Sequence, residues 1–245
     1  MLLRTFYRGG ALLWSINNRA IKQIAINDNN PDLINLYRTI RDDLETLLIK
    51  LRKFNPTKAE YYKVRFWDRN PSFNRRHPAT KAARTLFLNK TGYNGLYRVN
   101  SKGQNNVPFG NYKNPTIVDE PNLRACSEYL QGVEVSCGDF EEFKPRIDRD
   151  AFVYLDPPYV PLTPTSGFTS YTQEGFDKHA QERLKSFCDH IHNTGAKFML
   201  SNSSAPFVYD LYSNYKIEEV LARRSINSKG EGRGEITELI VRNYG

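Results

Sequence analysis

The sequence predicts an α/β fold interrupted by a basic helical insertion, and three observations carry that expectation. Short apolar runs alternate with stretches of helical periodicity, the pattern of a sheet covered by helices. Three of the runs lead into an acid, at Asp28, Asp139 and Asp156. Between Lys50 and Arg98 the composition changes: thirteen Lys and Arg stand against Glu60 and Asp68, and prolines divide the stretch.

The elements follow in order. Leu2 to Phe6 suits a short strand and leads into Phe6-Tyr-Arg-Gly-Gly-Ala11. Glycines there let the backbone approach a ligand, although an ordinary tight turn has the same composition. Ile24 to Asp28 reads as a second strand. Asn30 and Pro31 open a helix, with Pro near N1 and Leu33, Leu36, Tyr37 and Ile40 at helical spacing, expected to run on toward Phe54. Pro56, Pro71 and Pro78 divide the basic stretch into short helices, one of them covering Lys81 to Lys90 and stopping near Gly92. Gly92 to Arg98, Asn100 to Gly103 and Pro108 to Gly110 read as a hairpin with polar turns. Leu123 to Leu130 is a helix, and Val133 to Cys137 a strand leading to Gly138-Asp139-Phe140. Ala151 to Leu155 is an apolar run bounded by prolines, the signature of a buried strand. Ala180 to Asn193 is an amphipathic helix with Gly195 at C′. Lys197 to Ser201 is the next strand, and Ile217 to Ala222 and Ile236 to Val241 flank a glycine-rich loop, Gly230 to Gly234.

The basic block carries a local charge of +11, which leaves −3 for the rest of a chain whose net charge is +8. Concentrated charge of this kind marks a polyanion-binding surface, the alternative being a solvated basic face. Aromatic residues run through the same block, among them Phe54, Tyr61, Phe66, Trp67 and Tyr93. That mixture favours nucleic acid over a membrane. No apolar run is long enough to span a bilayer, and the first residues lack the apolar region of a signal peptide. A soluble, cytoplasmic protein that is monomeric in solution is expected. Cys126, Cys137 and Cys188 have no metal-ligand spacing, so neither a metal site nor a disulfide framework is expected.

The most informative string is Asp156-Pro157-Pro158-Tyr159, just beyond the apolar run. Open α/β sheets bind ligands at the carboxyl ends of their strands. Pro157 and Pro158 lack N–H groups and fix φ, so the segment is a stiff row of carbonyl acceptors. Asp156 adds a charged acceptor and Tyr159 an aromatic face. Such a site can grip an exocyclic amine while stacking on the ring that bears it. By itself the string is equally a strand ending in a proline turn. With the glycine turn and the acids Asp28 and Asp139 at other strand ends, it points to an adenosyl pocket beside an amine-binding site.

These motifs carry a resemblance to the Dam-type, class D12 DNA adenine-N6 methyltransferases, and it covers nearly the whole chain. It rests on the residue 6–11 and 154–159 motifs and on Asn27 to Leu33, Asn89 to Arg98, Asn106 to Gly110 and Gly138 to Phe140. It continues through Phe168 to Tyr171, Leu200 to Asn202 and Arg223 to Ile226. The resemblance implies a Rossmann-like methyltransferase sheet with an inserted helical and β-hairpin DNA-binding subdomain. Residues 1–54 and 116–245 would form the catalytic domain and 55–115 the target-recognition part. It implies S-adenosylmethionine as cofactor, contacted by Phe6, Gly9, Gly10, Asp28, Asp139, Phe140 and Asp156. It also implies duplex DNA as partner, with an adenine in GATC rotated out of the helix. Asp156, Pro157, Pro158 and Tyr159 would hold that base. Tyr93, Asn94, Leu96, Arg98 and Pro108 would read the site, with Arg98 suited to bidentate recognition of guanine. Arg223 and Arg224 would meet phosphate or solvent.

Two departures from the family pattern stand out. Arg8 occupies a position where a glycine is typical, and the covering segment with a Gly-Lys pair that usually precedes the glycine turn is missing. Either the true start lies upstream or the beginning is shortened, and the expectations are an active adenine methyltransferase or a relative that binds DNA without transferring methyl.

Overall fold

Ile24-Ala-Ile-Asn-Asp28 is buried at every position, as a strand covered on both faces must be. The computed structural model of the chain describes residues 2–5, 11–16, 21–162, 176–223 and 235–245. It divides into one unit of Met1–Asn27, Gly138–Thr169 and Glu174–Gly245, and a second of Asp28–Cys137 and Ser170–Gln173. Among the described residues no helix is long and apolar enough to cross a membrane.

In the first unit, β1 (Leu2–Thr5) pairs in parallel with both β2 (Ile24–Asp28) and β4 (Phe152–Leu155). Leu2 lies opposite Ile24 on one side and Phe152 on the other. β4 pairs in parallel with β5 (Lys197–Ser203), with Leu155 opposite Leu200. β7 (Glu235–Arg242) then runs antiparallel between β5 and β6 (Lys216–Arg223). The order β2-β1-β4-β5 is the central run of a doubly wound sheet, and strand order reverses between β1 and β4. Beyond the carboxyl ends of those two strands lies the place where such sheets bind ligands.

Val153, Leu155, Phe198, Leu200, Leu239 and Val241 are fully buried and form the centre of this unit's core. α7 (Lys178–Asn193) packs there through Leu184, Phe187, Cys188 and Ile191, an apolar stripe of helical period. Its start is fixed by Asp177, whose carboxylate accepts the Ala180 N–H at 2.8 Å. Its end is fixed by Gly195 at φ +80°. The short helices α1 (Ala11–Ser15) and α8 (Pro206–Leu211) were not anticipated from periodicity. Each is too short to display a stripe.

The second unit is mainly helical. α2 (Pro31–Asp42) begins at Asn30, whose side chain accepts from the N–H groups of Asp32 and Leu33. The expected continuous helix toward Phe54 is broken at Asp43, whose φ of −147° and ψ of 48° are not helical, and restarts as α3 (Leu44–Leu51). The apolar phase passes unchanged through the break, from Ile40 to Leu47, Leu48 and Leu51, so periodicity could not reveal it. α4 (Lys58–Arg65) is capped by Thr57, and α5 (Pro78–Thr91) starts with Pro78 at N1. Short 3₁₀ turns at Phe66–Arg69 and Pro71–Arg75 join them. α6 (Glu120–Leu130) and β3 (Val133–Cys137) complete the unit. Arg38 and Arg41 on α2 donate to the β3 carbonyls of Val135 and Val133 at 2.8–3.0 Å.

The expected hairpin is not a continuous ladder. Only two isolated antiparallel bridges join its arms, Gly92 to Phe109 and Val99 to Asn105. Asn94 and Gly95 adopt left-handed φ values of 53° and 61° and turn Tyr93–Gly95 into a 3₁₀ turn. Pro108 has no N–H for a ladder, although its carbonyl accepts from Tyr93 N at 2.9 Å.

Candidate active site

β4 delivers its carboxyl end directly into Asp156, Pro157, Pro158 and Tyr159. Asp156 is only 9% exposed, and its Oδ1 accepts from Ser201 Oγ at 2.9 Å. Ser201 belongs to β5, so the parallel pairing of β4 and β5 aims the carboxylate. Pro157 and Pro158 are buried, whereas Tyr159 keeps part of its surface exposed. The Tyr159 hydroxyl donates to Glu238 Oε2 at 3.3 Å. Burial pushes this phenol well above the usual tyrosine range, and Asp156 and Glu238 nearby push it the same way. At neutral pH Tyr159 is therefore a neutral hydrogen-bond donor with an aromatic face.

Asp139 opens a 3₁₀ segment, Phe140–Arg146, and caps it through the Glu141 N–H at 3.0 Å. Its carboxylate meets Arg183 Nη2 of α7 at 2.8 Å, and Arg183 also pairs with Glu141. Lys144 and Arg183 hold the Glu141 carboxyl below its usual range. Phe140 is 3% exposed, with its ring 5.3 Å from that of Phe187 and the Arg183 guanidinium over it. Gly138 accepts from Asn27 Nδ2 at 2.9 Å through its carbonyl, which ties the end of β2 to the turn before Asp139.

Within the second unit, Asp28 is 3% exposed and accepts the Asn30 N–H at 2.7 Å. Tyr93, Asn94, Arg98 and Pro108 are exposed on one irregular element, and Leu96 is partly so. Arg98 is oriented by Asn106, which accepts from its Nε at 2.7 Å and from its Nη2 at 3.2 Å. The Asn94 N–H donates to the Tyr112 hydroxyl at 2.7 Å. Beneath this element, Tyr61 and Arg65 both donate to the Val107 carbonyl at 2.9 Å. Arg69 donates to the Asn105 carbonyl at 2.6 Å, and Asp68 accepts the Asn105 N–H at 2.8 Å. Arg84, 2% exposed, anchors Asp68 at 2.6 Å. Several cations of the basic block are thus committed to the interior and to backbone carbonyls rather than to a surface.

Phe6, Arg8, Gly9 and Gly10 lie outside the described residues, as do Arg224, the residue 168–171 motif and the glycine-rich loop; nothing is described of the Arg223 side chain. Sequence reasoning assigned no role to Ser201, Glu238, Gln181, Asn202, Ser203, Arg183 or Asn106. Ser201, Asn202 and Asn106 stood inside quoted motifs, which was the available signal. Ser203 directly follows one of them, whereas Gln181, Arg183 and Glu238 lie outside any quoted motif and reach the site through helix packing and strand register. Among the described residues, no group of three His, Cys, Asp or Glu is arranged to hold a metal ion. The strand-end donor set is acidic and aromatic, which suits a ligand bearing a cationic sulfonium together with hydroxyl and amine donors.

Comparison with known proteins matches residues 6–226 to the model of the D12 class N6 adenine-specific DNA methyltransferases. The chain is 42% identical to the type II methyltransferase M.MjaIII of Methanocaldococcus jannaschii, over 99% of this chain and 88% of that protein. It is 42% identical to the type II methyltransferase M1.LlaDCHI of Lactococcus lactis subsp. cremoris, over 98% and 85%. With the DNA adenine methylase of Escherichia coli K12 it shares 30% identity, over 91% and 80%. A carboxylate and an aromatic face at the end of β4, within a match that spans most of the sequence, place this chain in the D12 class of N6 adenine-specific DNA methyltransferases.

Proposed function

We propose that this protein transfers a methyl group to N6 of an adenine within GATC, after that base has rotated out of duplex DNA. The observation that carries the reading is the buried Asp156 carboxylate, fixed by Ser201 beside the partly exposed Tyr159. Family membership implies S-adenosylmethionine as methyl donor; when bound, it supplies a methyl group already activated on sulfur. Asp28, Asp139, Phe140 and Asp156 are the described residues proposed to hold it, with Phe6, Gly9 and Gly10 carried over from the family pattern.

Adenine N6 is a poor nucleophile because its lone pair is delocalised into the ring. The Asp156 carboxylate and the Pro157 carbonyl accept the two N6 protons and favour the tetrahedral geometry that attack requires. As N6 takes the methyl group, the methyl–sulfur bond would break to leave a neutral thioether, and Asp156 would act mainly as the acceptor for an N6 proton that is lost late, to solvent. Tyr159 stacks on the extruded ring and offsets part of the few kcal/mol that extrusion costs. Alignment of amine and methyl supplies up to ~7–11 kcal/mol of the acceleration.

Residues 55–115 are proposed as the part that reads the DNA, through Tyr93, Asn94, Leu96, Arg98 and Pro108. Arg98, held by Asn106, is suited to guanine, so Arg98→Ala is expected to cost about 1–3 kcal/mol of discrimination at that base. Two of the relatives are named type II methyltransferases and a third DNA adenine methylase, so the target sequence is the part most in need of measurement. The decisive assay incubates the protein with methyl-tritiated S-adenosylmethionine and unmethylated duplexes with and without GATC. Label on adenine N6 of the GATC duplex alone is the expected result. Label on other adenines would replace GATC as the target, and no label would leave a DNA-binding relative. Asp156→Ala is expected to lower transfer at least ~10²-fold, and normal transfer by that variant would remove Asp156 from the mechanism.

A further inference from the structure

The loop carrying Asp156 and Tyr159 is held from behind by buried amides. Gln181 on α7 is 1% exposed and Asn202 on β5 is 0% exposed. Gln181 Nε2 donates to the Pro158 carbonyl at 2.9 Å, and its Oε1 accepts from Asn202 Nδ2 at 3.3 Å. Asn202 Oδ1 accepts two backbone N–H groups, from Val160 at 3.0 Å and from Ser203 at 2.9 Å. Ser203 Oγ closes the circuit by donating to the Val160 carbonyl at 2.6 Å.

The circuit has a fixed polarity. Pro158 offers a carbonyl and no N–H, so Gln181 must face it with nitrogen. Val160 and Ser203 offer N–H groups, so Asn202 must face them with oxygen. Neither amide can flip without leaving buried groups unpaired. The residues before and after Tyr159 are therefore clamped by one connected circuit drawn from two different elements, while Tyr159 itself stays partly exposed. Buried polar groups that served packing alone would need partners anywhere. Three of these five bonds go to Pro158 and Val160, the two residues that set the height and tilt of one aromatic face, and the other two hold the amides themselves in place.

We propose that Gln181, Asn202 and Ser203 are positioning residues for methyl transfer. They fix the plane of Tyr159 relative to the acceptors Asp156 and Pro157, so that a stacked adenine presents N6 in line with the methyl group. The inference rests on the reading of Asp156 to Tyr159 as the adenine-holding site.

The test uses the full chain and single-turnover transfer to a duplex substrate, beside separate measurements of S-adenosylmethionine and duplex binding. Gln181→Met keeps the length of the side chain and removes both of its hydrogen bonds. Its transfer rate is expected to fall by up to ~10²-fold, the scale of an ångström-level misplacement. Both binding constants should stay within about twofold of wild type, since misplacement within a formed site leaves ground-state binding largely intact. A duplex with 2-aminopurine at the target position should fluoresce more brightly with the variant, because the extruded base overlaps less well with a tilted Tyr159 ring. Absence of transfer by the wild-type protein would sink the reading of the site itself. Transfer by wild type with an unchanged rate in Gln181→Met would overturn the positioning role alone, as would a rate loss matched by equal losses in both binding constants. Should Gln181→Met not fold, Ser203→Ala removes a single bond of the circuit, and an unchanged rate in that folded variant overturns the proposal equally.

Discussion

Tyr159 does two things with separable atoms. Its ring offers an aromatic face, proposed to take the base, and its hydroxyl donates to Glu238. Glu238 is there because β7 pairs antiparallel with β5, which sets it opposite Ser203. Tyr159→Phe keeps the face and loses the hydroxyl's bonds, the one to the charged Glu238 among them, so transfer should fall by about tenfold or somewhat more, at ~1.5–3 kcal/mol. Tyr159→Ala also removes base stacking, worth about 1–3 kcal/mol, and should be clearly the worse of the two. Steady-state kcat/KM for both variants checks the order; equal losses would mean that the ring does not stack on the substrate. Residues 156 to 159 were legible because they are adjacent and each has distinctive chemistry. Ser201, Glu238 and Gln181 were not, because strand register and helix packing bring them to the site from 42, 79 and 22 residues beyond Tyr159.

The irregular element proposed to read the DNA teaches the same lesson at larger scale. Caps and stops written in neighbouring residues were readable: Asn30 with Pro31 at the head of α2, and Gly195 after α7. The conformation of Tyr93 to Phe109 was not, because it is fixed by side chains from α4, from the 3₁₀ turn Phe66–Arg69 and from α5. Asp68 and Arg84 are the keystone of that support, and Arg84 is buried. Asp68→Ala strands the Arg84 guanidinium and is expected to cost about 3 kcal/mol, within the range for breaking a buried pair, measured by urea unfolding. Tyr61, fully buried, donates to the Val107 carbonyl of the same element, and burial pushes its phenol up to about 12. Its folded value lies above its unfolded value, so the stability it contributes is whole below pH ~10. That contribution is lost as pH rises through about 12. Alkaline unfolding of wild type beside Tyr61→Phe checks this, and the variant should lose less stability across that window.

At the scale of the whole chain, the charge of +8 conceals a division of labour among the cations of the basic block. Arg84 is buried against Asp68, Arg65 and Arg69 hold backbone carbonyls, and Arg52 pairs with Glu120. Lys58, Arg75 and Lys90 are exposed on the same unit, where a phosphate can reach them. Phosphate contacts act through counterion release and are insensitive to base sequence, whereas base-edge contacts are the reverse. Each of Lys58→Ala, Arg75→Ala and Lys90→Ala that removes a phosphate contact should therefore flatten the slope of log affinity against log salt by about 0.9. The loss should be the same on cognate and unrelated duplexes. Arg98→Ala should do the opposite, changing discrimination far more than slope. Titrations of each variant across a salt series, with two duplex sequences, separate the classes. If these three cations left the slope untouched, the phosphate contacts would lie with other exposed cations of the block, such as Lys53 and Lys63, or outside it, and only the buried part of the charge, as at Arg84, would belong to folding.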